Sequence, residues 1–81
     1  MNRKIISCIV ERANAYNTSY YVRFYSEQGQ VMTVVHDDVV SANVCGDRIV
    51  ITSMNGMNPG LNGHQYIYDA TTYSLLQVLP I

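Results

Sequence analysis

The chain has 81 residues and a formal net charge of −1; 48% of its residues are hydrophobic and 14% are charged. This length fits one domain over residues 1–81. The hydrophobic content argues against disorder, which combines low hydrophobicity with high net charge. The five Lys and Arg residues form no dense cluster, so a nucleic-acid partner, which needs a basic stripe, is disfavoured. No segment reaches the roughly 20 apolar residues of a membrane helix, and we expect a cytoplasmic protein without membrane contact.

Short stretches rich in β-branched and aromatic residues alternate with turn residues along the chain, which predicts an all-β fold. The predicted strands cover residues 4–10, 19–26, 31–35, 39–44, 48–54, 64–69 and 74–79. Most are joined by tight turns, such as those at Gly29 and Gly46, so we expect an antiparallel meander of about seven strands. Two longer connections, 11–18 and 55–63, are the natural places for a binding site.

The second half of the chain repeats the pattern of apolar stretches and long loops of the first half at a shift of 44 residues. Units 4–35 and 48–79 would each contain a strand, a long loop, a strand, a tight turn and a strand. The sequence YDAT at 68–71, followed by Leu75 and Leu76, resembles the outer hairpin of a β-propeller blade, a repeat of about 40–45 residues. Tyr73 stands where that pattern has a turn Gly. The resemblance implies two propeller-like blades, and the alternative is a small barrel or sandwich.

Two blades do not close a propeller, which usually needs about four to eight. Such a pair would leave unpaired sheet edges and bare faces, so the resemblance implies that several copies assemble. The charged fraction of 14%, against about 25% in average proteins, also indicates that a partner or a second copy covers part of the surface. We therefore expect a homo-oligomer.

Residues with catalytic or metal-binding chemistry are few. His36, Asp37 and Asp38 offer ligand atoms, but adjacent residues of an extended chain point to opposite faces. We interpret them as a polar corner between strands. Cys8 lies in an apolar stretch, where a thiol is inert rather than activated. The sequence therefore predicts a protein that is not an enzyme and that uses no metal or cofactor.

The two long loops carry amide and aromatic side chains that suit a sugar or a peptide. The candidate binding residues are Tyr16, Asn17, Tyr20, Asn55, Asn58, Asn62, His64 and Tyr66. Tyrosines that face outward from strands would also suit a protein interface, where Tyr is enriched. Two functions stay open: an interaction module that self-associates and engages a protein partner, and a small-molecule or carbohydrate binder.

Overall fold

The computed structural model of the protein describes residues 3–16, 18–54 and 63–81. These ranges contain seven strands and no helix. The strands are β1 (Ser7–Arg12), β2 (Ser19–Ser26), β3 (Gly29–Asp37), β4 (Val39–Cys45), β5 (Arg48–Ser53), β6 (His64–Asp69) and β7 (Leu75–Pro80). Every pair of neighbouring strands is antiparallel. The predicted all-β antiparallel fold of seven strands is confirmed.

The strands form two sheets, one in the order β1-β2-β3 and the other in the order β4-β5-β6-β7. β1 lies beside β4, and β3 contacts β6 through a hydrogen bond between His36 and Tyr68. The two sheets share no strand in the described part of the chain, so the arrangement is that of a small sandwich. Because the first sheet has three strands and β3 meets β6, β7 extends past the first sheet.

The core lies between the sheets because alternate residues of each strand point to the facing sheet. Val22 and Phe24 on β2 and Ile49 and Ile51 on β5 are fully buried. The buried hydrophobic residues are Ile5, Val22, Phe24, Val39, Ile49, Ile51, Tyr68 and Ala70. Each sheet therefore covers the apolar face of the other.

The first strand begins later than the predicted 4–10. Ile5 donates its amide to the carbonyl of Ala70 at 2.8 Å, and the next residue, Ile6, donates to Tyr25, also at 2.8 Å. Ala70 comes directly after β6 of the second sheet, and Tyr25 lies on β2 of the first sheet. The two consecutive amides therefore bond to opposite sheets. This segment consequently ties the sheets together before the β1 ladder starts at Ser7.

The turns follow the predicted chemistry. Gly29 (φ 123°) and Gly46 (φ 62°) take positive φ angles in the β2–β3 and β4–β5 hairpins, a region that glycine enters without steric cost. Tyr73 also takes a positive φ, 67°, in the turn where the propeller pattern has Gly. Its hydroxyl donates to the carbonyl of Arg3 at 2.6 Å, which holds the strained turn against the N-terminal segment.

The predicted repeat units correspond to β1–β2–β3 and β5–β6–β7. β4 separates them in the chain and pairs with β5 at the edge of the second sheet. The propeller-like character of these units stays a prediction.

Candidate functional site

The predicted loop residues lie only partly within the described residues. Tyr16 is 97% exposed, and its backbone amide donates to the side-chain oxygen of Asn14 at 2.8 Å. The predicted binding residues that lie outside the described ranges are Asn17, Asn55, Asn58 and Asn62. The predicted binding residues within the described ranges are Tyr16, Tyr20, His64 and Tyr66.

Two of the predicted binding tyrosines are partly core residues. Tyr20 on β2 and Tyr66 on β6 are half-buried and pack against the buried cluster from facing sheets. His64 is exposed at the start of β6, and its ring centroid lies 6.3 Å from that of Tyr66. The structure thus places Tyr66 beside His64 but turns both tyrosines toward the sandwich interior.

A cross-sheet cluster forms around His36 of β3. Its ring stacks on Tyr66 with 4.1 Å between centroids and a tilt of 32°, and its Nε2 lies 2.8 Å from the hydroxyl of Tyr68. Tyr68 in turn meets Phe24 edge to face at 5.5 Å. We call His36, Tyr66, Tyr68 and Phe24 the cross-sheet cluster. It joins the outer strand of the first sheet to the third strand of the second.

The electrostatics of the cross-sheet cluster favour neutral side chains. Burial lowers the pKa of His36 below its ordinary value of 6.5, and the opposing attraction of Asp37 is the smaller effect. Burial also raises the pKa of Tyr68 above its ordinary value of 10.0. Near neutral pH an uncharged imidazole and an uncharged phenol therefore share one hydrogen bond. This arrangement stabilises the contact between the sheets and occupies Nε2 of His36.

The lowered pKa makes the stability of the fold depend on pH through His36. The folded state binds the proton less readily than the unfolded state, so the stabilisation is complete above about pH 6.5 and is lost as the pH falls toward the folded-state pKa. We expect His36→Gln to remove this part of the pH dependence. Urea unfolding at about pH 7.5 and about pH 5 measures it. His64→Gln, at an exposed histidine, is the matched control; an equal loss of pH dependence there would contradict the assignment.

The two thiols differ in their surroundings. Burial raises the pKa of Cys8 to about 11, so its thiol is protonated at neutral pH and is a poor nucleophile. Cys45 is exposed, and both cysteines are free of disulfides. Within the described ranges, no three His, Cys, Asp or Glu side chains group in a way that could hold a metal ion.

A groove of about 310 Å³ lies at the N-terminal segment and the β2–β3 turn. Its lining residues are Arg3, Lys4, Ile6, Ser26, Glu27 and Gln28. Lys4 is already paired with Asp47 at 3.2 Å, and the lining contains one further cation, Arg3, and one carboxylate, Glu27. The groove therefore presents no concentrated charge to a ligand.

The outer side of the first sheet carries an amphipathic patch. On β2, the guanidinium of Arg23 lies 5.2 Å from the ring centre of Tyr21 and 2.7 Å from the carboxylate of Glu11. Ile9 on β1 and Val35 on β3 are 51% and 55% exposed on the same side. We call this patch, with Tyr25 of β2, the outer tyrosine face. Its Tyr, Arg and aliphatic side chains are typical of protein interfaces.

The free edge of the second sheet is apolar. In the described part of the chain, β7 pairs only with β6. Leu75 and Leu76 are 49% and 47% exposed, and Val78 is 44% exposed. The segment from Ser74 to Ile81 contains no charged side chain. We call residues 75–80 the β7 edge. An uncharged, apolar sheet edge is a template for pairing with another strand.

Comparison with protein-family models, with curated proteins and with solved structures gave no match. In the ranges that the structure describes, no helix has the length and apolar character needed to cross a membrane.

Proposed function

We propose that this protein is a non-enzymatic binding module that self-associates and engages a protein partner. The observation that carries the proposal is the β7 edge, which exposes three large aliphatic side chains on an uncharged strand. Soluble proteins usually protect such edges with charged residues, proline or a covering segment; β7 has no charged residue, and its proline, Pro80, stands at its last position. A second copy would cover this edge.

The residues with reactive chemistry support a role in binding rather than catalysis. His36 is half-buried and shares its Nε2 with Tyr68, and Cys8 has a pKa of about 11. A catalytic base or nucleophile instead needs a tuned pKa and access to a substrate. In the proposed binding module, His36 and Cys8 contribute to the stability of the sandwich instead.

The protein partner is assigned to the outer tyrosine face. This face lies on the first sheet, away from the facing sheet, and stays accessible when β7 is covered. Tyr and Arg residues often dominate the binding energy of protein interfaces. We also propose a cytoplasmic location, because two free cysteines suit a reducing compartment.

Self-association predicts a native mass above that of one 9.1 kDa chain. Size-exclusion chromatography with light scattering, from micromolar to millimolar protein, measures this mass. We expect a mass of at least two chains at the higher concentrations, because mass action favours the assembled form. A mass of one chain throughout would overturn the proposed self-association.

A further inference from the structure

The backbone of β7 has a defined free side. Ile81 donates its amide to the carbonyl of Gly63 at 3.0 Å, and the register continues with Leu79 opposite Gln65. In an antiparallel ladder, residues that bond to the neighbouring strand alternate with residues whose N–H and C=O point away. Leu79 and Ile81 therefore bond to β6, while Val78 and Pro80 direct their backbone groups to the free edge. Proline fits this place because it has no N–H to leave unpaired.

The other sheet edges are less suited to pairing. β1 carries Glu11 and Arg12, and β3 ends in Asp37, and charged residues on an edge discourage strand addition. β4 has an irregular register between Val39 and Ser41 and lies beside β1. The irregularity in β7 is confined to its start, opposite Tyr68, so residues 77–80 form a regular strand.

We propose that β7 pairs antiparallel with β7 of a second copy about a two-fold axis at Val78. This inference rests on the proposed self-association and names the contact that produces it. Because β7 carries no charged side chain, a charged foreign strand would bring an unpaired charge against apolar residues, whereas a second β7 brings none. The two four-stranded sheets become one sheet of eight strands.

The register follows from the free backbone groups. Val78 opposite its counterpart in the second copy forms a hydrogen-bonded pair, in which each valine donates its N–H and accepts through its C=O. Gln77 then lies opposite Leu79. Leu76, which stands at the register shift of β7, faces Pro80, whose C=O can accept a hydrogen bond but which has no N–H to donate. Val78 would thereby gain its own counterpart as a neighbour on the same face of the sheet. Every apolar residue of the β7 edge finds an uncharged neighbour in this pairing.

Cysteine cross-linking tests the register. In a Cys45→Ser parent, Val78→Cys places two thiols in directly opposite positions, where Cα atoms about 5.5 Å apart allow a disulfide. Gln77→Cys is the matched control, because in this register its two copies lie diagonally, about 7–8 Å apart. We expect a disulfide-linked dimer from Val78→Cys under mild oxidation, at least about tenfold faster than from Gln77→Cys. Faster cross-linking of Gln77→Cys, or no cross-linking of either variant, would overturn the register.

A charge variant separates this inference from the proposed function. Val78→Lys places two cations opposite each other at the two-fold axis, and like charges directly opposite each other destabilise a strand pair. We expect the dimer dissociation constant to rise about tenfold or more. Val35→Lys, an equally sized change on the outer tyrosine face, should leave it unchanged. If both variants remain dimeric, the β7 contact is wrong while self-association stands; a monomeric wild-type protein removes both.

Discussion

Phe24→Ala will lower the free energy of unfolding by about 3–5 kcal/mol. Phe24 is fully buried and packs its ring edge to face against Tyr68 of the other sheet at 5.5 Å. The substitution leaves a cavity between two sheets that cannot collapse without moving their strands. A domain of this size has a total free energy of unfolding of about 4–12 kcal/mol, so this loss is a large fraction of the total. Urea denaturation at one fixed protein concentration measures the effect.

Two variants bracket the effect of Phe24→Ala. Phe24→Leu keeps most of the apolar volume and should cost clearly less. Tyr16→Ala, at a side chain that is 97% exposed, should change the free energy of unfolding by no more than about 0.5 kcal/mol. A Phe24→Ala protein as stable as Tyr16→Ala would contradict the assigned core.

Gly63→Ala will destabilise the fold by about 1–3 kcal/mol or more. A Cβ atom at Gly63 would overlap the carbonyl oxygen of Ser53 and lie 2.9 Å from the Cα atom of Met54. Both neighbours are backbone atoms at the end of β5, so neither can rotate away. Gly63 also accepts the hydrogen bond from Ile81, and displacing it would disturb the end of β7. Thermal or urea unfolding measures the loss.

Gly46 is the control that distinguishes lack of space from backbone strain. A Cβ atom at Gly46 would meet nothing within 4 Å, but its φ of 62° is left-handed. Gly46→Ala should therefore cost about 1–2 kcal/mol, and Gly46→Asn should recover much of this because Asn tolerates that region. Asn should not rescue position 63, where the obstacle is steric. Recovery of stability by Gly63→Asn would contradict the close approach to Ser53.

The strands were predictable because their signals are local. Alternation of apolar residues with turn residues locates β2 at 19–26 and β6 at 64–69, the same bounds that the structure has. The start of β1 was not predictable, because it depends on the distant bond from Ile5 to Ala70. Local sequence cannot show which carbonyl an amide will meet.

The surfaces depend on contacts between sheets and were harder to predict. His36 looked like part of a polar corner, yet it continues the inward series of Met32 and Val34 on β3, and that alternation was the available signal. The apolar residues of β7 would equally suit a central strand, and the local signal for an edge is Pro80 at the end of the strand. The exposure of β7 follows from the strand order and from the extra strand of the second sheet.

Amide hydrogen exchange at Val78, followed by NMR as the protein concentration is raised, tests the central claim most directly. The Val78 N–H points to the free edge of the sheet and gains a hydrogen-bond partner only when β7 meets β7 of a second copy. We predict that its exchange slows as dimers form, while the Leu79 amide, which already bonds to Gln65 in the register of β6, changes little. Val78 exchange that stays fast in a fully dimeric sample would contradict pairing through β7.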